Sequence, residues 1–160
     1  LSMNYSSTPQ TIEQSCEING SVDEQICSSN EGFSESLCTL SKKELGRKGE
    51  RAAVRFLKNR GFEILETNWV CFAGEADIIA LDGSTLCFVE VKTRTGVQKG
   101  FPSEAVNAKK RDRYEKIAAC YLQTYHETEL YVRFDVISIL VLSDNHAFLR
   151  LHTNAFSCDH

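Results

Sequence analysis

The apolar positions along the chain change period twice, and each change marks an element. Between residues 41 and 61, apolar or small side chains fall at 45, 46, 49, 53, 54 and 57, the spacing of a helical stripe. Ser41 with Glu44 three residues later has capping-box spacing, and Gly61 supplies the stop. Three β-type segments follow. Phe62 to Val70 carries Ile64, Leu65 and Trp69, and Glu75 to Leu81 is nearly continuous in apolar residues after Asp77. Asp82-Gly83 offers a hairpin turn, and Leu86 to Val91 is apolar enough to be buried on both faces. A loop containing Gly96 and Gly100 leads to Pro102 and a long helix ending near Tyr125. Tyr131 to Val141 is a strong strand, followed by a strand or hook through Phe148, Leu149, Leu151 and Phe156. The order helix, three strands, helix, strand predicts an α/β fold with a mixed central sheet flanked by helices. Residues 1–40, rich in Ser, Glu, Asn, Thr and Gln without a sustained period, read as a flexible polar N-terminal extension, disordered or loosely helical. The organised domain is then 41–160.

Length and composition narrow the class. A chain of 160 residues suits one domain with a hydrophobic core, and 42% hydrophobic with 25% charged residues is ordinary for a globular protein. No apolar run approaches the roughly 20 residues of a membrane span. The N-terminus lacks a basic region followed by an apolar stretch, so a secretory leader is not expected. Among seven cysteines no pair has the two-residue separation of a zinc knuckle or redox dithiol, and Cys71, Cys87 and Cys120 sit in apolar or periodic segments. The expected setting is a reducing cytoplasm.

The net charge of −4 disfavours bulk electrostatic binding of nucleic acid, but the charge is unevenly placed. Lys42 to Arg60 holds eight basic residues against two acidic, and Lys92 to Lys116 eight against three. Two basic segments beside an acidic pocket would suit a phosphate backbone approaching a cation. They would equally serve as two solvated helix faces.

The chemistry lies in Gly74-Glu75-Ala76-Asp77 and, one hairpin later, Phe88-Val89-Glu90-Val91-Lys92. Period-two alternation puts Glu90 and Lys92 on one face of their strand, with Val89 and Val91 turned into apolar packing. If the two strands pair, Asp77 comes close to Glu90, and two adjacent carboxylates repel unless one is protonated or a cation bridges them. A hard divalent ion would resolve that conflict. Glu-x-Lys alone is a weak motif, and a structural Glu–Lys pair at a sheet edge fits it too. Two helix residues favour the chemical reading. Glu50 falls on the inward stripe of the first helix, and Lys110 lies four residues from both Val106 and Tyr114 on the inward face of the second.

Gly46-x-x-Gly49-Glu50, Gly74-Glu75-x-Asp77 and Phe88-Val89-Glu90-Val91-Lys92-Thr93-Arg94 together resemble the YraN-like family, uncharacterised protein family 0102. Ala105-Val106 with Lys110, then Arg133-Phe134-Asp135-Val136 and Asn154-Ala155-Phe156, extend the resemblance to about Leu45–Phe156. That family is similar to archaeal Holliday junction resolvases within the PD-(D/E)XK nuclease superfamily. The resemblance implies a restriction-endonuclease-like core and a Mg²⁺ or Mn²⁺ cofactor. It makes Asp77 and Glu90 metal ligands, Lys92 the catalytic lysine and Glu50 the helix glutamate closing the metal site. Lys110 corresponds to a cation from the later helix; Glu75 and Arg94 are signature residues assigned to substrate or supporting contacts. Ala76 replaces a larger aliphatic residue at its position.

Three functions fit these residues. The leading one is a metal-dependent, structure-selective DNA endonuclease acting on branched DNA, with a homodimer suggested by analogy to junction resolvases. The second is a nucleic-acid-binding module in DNA repair, recombination or uptake, without catalysis. The third is a protein-interaction domain on an inherited nuclease fold.

Overall fold

The computed structural model describes residues 4–5, 10–17, 41–95, 108–125, 131–143 and 146–155. Among these described residues nine elements follow one another: β1 (Asn4–Tyr5), β2 (Gln10–Glu17), α1 (Lys42–Lys58), β3 (Glu63–Cys71), β4 (Gly74–Asp82), β5 (Thr85–Thr95), α2 (Ala108–Leu122), β6 (Tyr131–Val141) and β7 (His146–Thr153).

α1 begins where the local chemistry demands. The Ser41 hydroxyl accepts from the Glu44 N–H at 3.3 Å, and the Glu44 carboxylate accepts from the Ser41 N–H at 2.8 Å. This satisfies two donors that a helix start otherwise leaves orphaned. Its buried stripe is Gly49, Ala52, Ala53, Phe56 and Leu57, rotated from the expected one so that Phe56 is enclosed while Leu45 and Val54 are only half-buried. Gly61 takes φ 85° just beyond the helix, a left-handed conformation that glycine adopts without a Cβ clash.

One sheet runs in the order β2-β7-β6-β5-β4-β3, with β1 added to β6. β3, β4 and β5 form an antiparallel meander, β5 and β6 are parallel from Thr85↔Tyr131 to Thr95↔Val141, and β7 returns antiparallel to β6. The parallel pair requires a crossover, and α2 lies in it. The β4–β5 turn is Gly83-Ser84, one residue later than expected, because Asp82 pairs with Thr85 and Gly83 supplies a left-handed φ of 60°. β5 runs four residues beyond the expected end at Val91, carried by its parallel ladder with β6.

Each face of the sheet buries its own core. α1 covers Ile78, Ala80, Cys87, Val89, Ile137, Ile139, Leu149 and Leu151. α2 covers Ile79, Leu86, Phe88, Val132, Phe134 and Val136 with Tyr114, Ile117, Ala118 and Tyr121. The helix, three strands, helix and strand thus appear in the expected order, in a mixed sheet with a helix on either side. No helix among the described residues is long and apolar enough to cross a membrane.

The N-terminal segment differs from expectation in two stretches. β2 pairs with β7 over eight residues, from Gln10↔Thr153 to Glu17↔His146, and β1 pairs with Tyr131 and Val132. The pairing of β2 is carried mainly by backbone hydrogen bonds. Of residues 10–15 only Ile12 is half-buried, against the α1-side core, so no apolar alternation betrays the strand. Residues 18–40 lie outside the described residues, as do 96–107 and the start expected at Pro102 for the second helix.

A buried ion pair within β6 ties that strand to β4 and to the turn after β7. Arg133 Nε donates to both oxygens of Asp135 at 2.9 and 3.1 Å, and Arg133 Nη2 donates to Asp135 at 3.0 Å and to Asp82 at 2.9 Å. Asp135 also accepts from the Asn154 backbone N–H at 2.8 Å, and the Ala155 N–H donates to the Phe134 carbonyl at 2.8 Å. Asn154 holds the left-handed φ of 50° that turns the chain into this contact. The Arg133-Phe134-Asp135 and Asn154-Ala155 blocks therefore form a structural lock.

Candidate functional site

The site forms where β4 parts from β5. The register Ile78↔Val89 would set Asp77 opposite Glu90, but the described ladder begins at Ile78, and the Asp77 carboxylate instead accepts from the Val91 N–H at 2.7 Å. On the other side of β4, Asn68 of β3 takes φ 52° between the Thr67↔Ile78 and Trp69↔Ala76 pairs, a local distortion opposite Asp77. β4 also changes its facing here: Ala76 belongs to the α2-side core and Ile78 to the α1-side core.

Glu90 follows Phe88 on the α2 side of β5. Its two oxygens are taken by separate partners from one helix, Lys110 Nζ on Oε1 and the Tyr114 hydroxyl on Oε2. Lys110 and Tyr114 are four residues apart, which brings both to the same face of α2. Burial pushes the Tyr114 hydroxyl far above the usual phenol range, and the negative charges of Glu90 and Asp77 push it further, so it stays a proton donor. The inward reading of Lys110 thus has a specific partner. In the sequence Tyr114 stands out only by its spacing, and its place four residues after Lys110 is the signal that points to it.

The electrostatics converge on Asp77. Burial pushes its carboxyl up to about 7; the Val91 N–H opposes this, and the charges of Glu90, Glu50 and Glu75 add to it. Three glutamates from α1, β4 and β5 are therefore near enough to raise the cost of ionising Asp77. Like charges so arranged favour either a proton or a cation. Carboxylate oxygens are the donors that hard divalent ions take, so the donor set fits Mg²⁺ or Mn²⁺ in kind. Among the described residues, no three acidic, histidine or cysteine side chains are grouped as a ready-made metal site.

Lys92 and Arg94 follow Glu90 at alternate positions along β5. With Lys42, Gly46, Glu50, Val91 and Thr93 they line a groove of about 350 Å³ between the N-terminal half of α1 and the end of β5. Glu50 reaches this groove because α1 approaches β5 closely at Gly49. A Cβ at Gly49 would lie 1.9 Å from Thr93 Oγ1 and 3.0 Å from Thr93 Cβ. Glycine is therefore required by close approach within a helix, which explains the Gly49-Glu50 pairing. Glu75 is exposed beside Asp77, and Arg94 is exposed at the end of β5. Acidic Asp77, Glu90, Glu50 and Glu75 share one electrostatic neighbourhood, Lys110 pairs with Glu90, and Lys92 and Arg94 border the adjoining groove.

Comparison with known proteins finds relatives over much of the chain. A sequence profile described as uncharacterised protein family UPF0102 matches residues 49–139. A UPF0102 protein of Caldicellulosiruptor saccharolyticus is 42% identical over 118 residues, covering 73% of this chain and 100% of the relative. A UPF0102 protein of Chlorobium phaeobacteroides is 44% identical over 117 residues, covering 73% of this chain and 90% of the relative. One from Nocardia farcinica is 46% identical over 100 residues, covering 62% of this chain and 79% of the relative.

Proposed function

The chain belongs to uncharacterised protein family UPF0102, and on that premise we propose that it is a divalent-metal-dependent endonuclease acting on DNA, with structured or branched DNA as substrate. The observation that carries the reading is the half-buried Asp77 among Glu90, Glu50 and Glu75 at the parting of β4 and β5, with Lys92 two residues from Glu90. Asp77 and Glu90 would hold a Mg²⁺ or Mn²⁺ ion, with Glu50 closing the site through water. The bound ion would supply Lewis-acid polarisation of a phosphodiester and a more acidic water. Lys92 would orient the attacking water and offset charge developing on the phosphate. Lys110 and Tyr114 hold Glu90 in place, and releasing one oxygen to a ligand would leave it anchored through the other. Arg94, beyond Lys92, would contact a flanking phosphate, and Glu75 would support Asp77 or meet the substrate.

A second reading rests on the engagement of both Glu90 oxygens and on the lack of a three-residue ligand group among the described residues. On it the domain binds nucleic acid without cutting. Titration calorimetry with Mn²⁺, beside cleavage of labelled four-way junction, fork, flap and linear duplex, separates the two. The nuclease reading expects metal-dependent cleavage, which Lys92→Ala lowers by about 100-fold or more while Mn²⁺ affinity persists. It expects Asp77→Asn to weaken Mn²⁺ binding itself. Absence of cleavage on every substrate, with salt-sensitive binding in chelator, would establish the non-catalytic reading instead.

A further inference from the structure

A second concave surface lies on the α2 side of the sheet. β3 and β4 are joined by the two-residue turn Phe72-Ala73, since Cys71 pairs directly with Gly74. Such turns favour Gly, Asn or Asp, yet the first position here is an aromatic ring 92% exposed, beside Val70 at 68%. Facing the turn across a groove of about 680 Å³ is α2, and the lining is Phe72, Ala73, Lys109, Lys110, Asp112, Arg113 and Lys116. Lys109, Arg113 and Lys116 follow i, i+4, i+7 spacing, so three cations share one helix face. Asp112, three residues after Lys109 and four before Lys116, offsets part of their mutual repulsion and leaves the face net positive. The turn and the helix touch at the floor, where Arg113 Cδ lies 3.3 Å from the position a Cβ on Gly74 would take.

We propose that this groove binds an unpaired DNA strand, with Phe72 stacking on a base and Lys109, Arg113 and Lys116 contacting its phosphates. Cations alone would serve any polyanion. The ring selects among polyanions, because a duplex keeps its base faces stacked inside while an unpaired strand presents them. Lys110 links the groove to the acidic centre, since it lines the groove and holds Glu90. A strand lying in the groove would pass beside Glu90. The inference rests on the reading that this domain takes DNA, and it narrows the preferred DNA to forms with unpaired nucleotides, such as flaps, forks and open branch points.

The test is fluorescence anisotropy with the full chain in EDTA, which reads binding without cleavage. The probes are a labelled single-stranded oligonucleotide, its blunt duplex and a fork, and inorganic polyphosphate is the competitor. Phe72→Ala should weaken single-strand and fork binding by about 10-fold or more and change duplex binding less than twofold. Phe72→Trp should retain the parent affinity. A 2-aminopurine base in the strand should be quenched by the parent and by Phe72→Trp, and not by Phe72→Ala. Lys116→Ala should lower the salt slope of single-strand binding by about 0.7. Unchanged single-strand affinity in Phe72→Ala, an equal loss on the duplex, or polyphosphate competing as well as unlabelled strand would each overturn the proposal. A Phe72-dependent single-strand binder that cuts nothing would overturn the nuclease reading and leave this one standing. A metal-dependent nuclease indifferent to Phe72 would do the reverse.

Discussion

Placing a methyl group on Gly49 should separate α1 from β5. The new Cβ would meet Thr93 Oγ1 at 1.9 Å, Thr93 Cβ at 3.0 Å and Thr93 Cγ2 at 3.2 Å. Carbon atoms pack comfortably at about 3.5–4.0 Å, so every one of these contacts is too short. Rotating Thr93 cannot clear them all, because both γ atoms and the Cβ itself are involved. The backbones must move. Overpacking of this kind costs about 1–3 kcal/mol or more, while replacing glycine by alanine inside a helix returns about 1 kcal/mol. Given the severity of the 1.9 Å contact, a net loss of about 2 kcal/mol is expected, or about 4–8 °C in Tm for a chain of this size. Urea unfolding followed by circular dichroism, with Cm compared at constant m, measures it. Thr93→Ala in the same chain removes two of the three contacts and should restore at least about 1 kcal/mol. Thr93→Val keeps the shape, loses only a hydroxyl that is buried without a hydrogen-bond partner, and should not rescue. On the nuclease reading proposed above, cleavage should also fall with α1 displacement, because Glu50 adjoins the displaced residue. A Gly49→Ala protein within about 0.5 kcal/mol of the parent, or equal rescue by alanine and valine, would refute the close-approach account.

Asp77 gives a pH signature in metal-free buffer. Its carboxyl is raised from 3.8 to about 7 by burial and neighbouring glutamates, so the folded state holds a proton that the unfolded state has released. Stability should therefore fall as pH rises from about 4 to about 7, by up to roughly 4 kcal/mol. Asp77→Asn should flatten that slope and be the more stable protein at pH 8; parallel pH profiles for the two would sink this. Asp135→Ala leaves Arg133 buried without its bidentate partner, and a loss of about 3–5 kcal/mol by urea unfolding is expected. A loss under about 1 kcal/mol would show the lock to be dispensable. Deleting residues 1–17 removes the β2–β7 ladder, the Ile12 contact and the Glu13–Arg150 ion pair. Tm should drop by about 4–8 °C, corresponding to roughly 2 kcal/mol, and an unchanged midpoint would mean that β2 adds nothing to the fold.

The local code of this chain was readable because its signals are short-range. The Ser41–Glu44 cap, the helical stripe ending before Gly61, the period-two strands and the turn near Asp82-Gly83 each depend on residues a few positions apart. Burial then makes those patterns obligatory. The acidic and basic candidates were legible for a related reason: charge placed inside apolar strands and on inward helix stripes conflicts with burial and so stands out. Other features became visible only in three dimensions. β2 joins an edge through main-chain hydrogen bonds, which every sequence possesses and none advertises. Tyr114 looks like a core aromatic until α2 brings its hydroxyl to Glu90. The need for glycine at position 49 follows from Thr93 lying against α1, forty-four positions away in sequence. Arg133, Asp135, Asp82 and Asn154 satisfy one another from two strands and a turn, and the exposure of Phe72 opposite a basic helix face depends on where α2 crosses the sheet. Periodicity determines which face of an element is apolar; only packing decides which polar groups that face will meet.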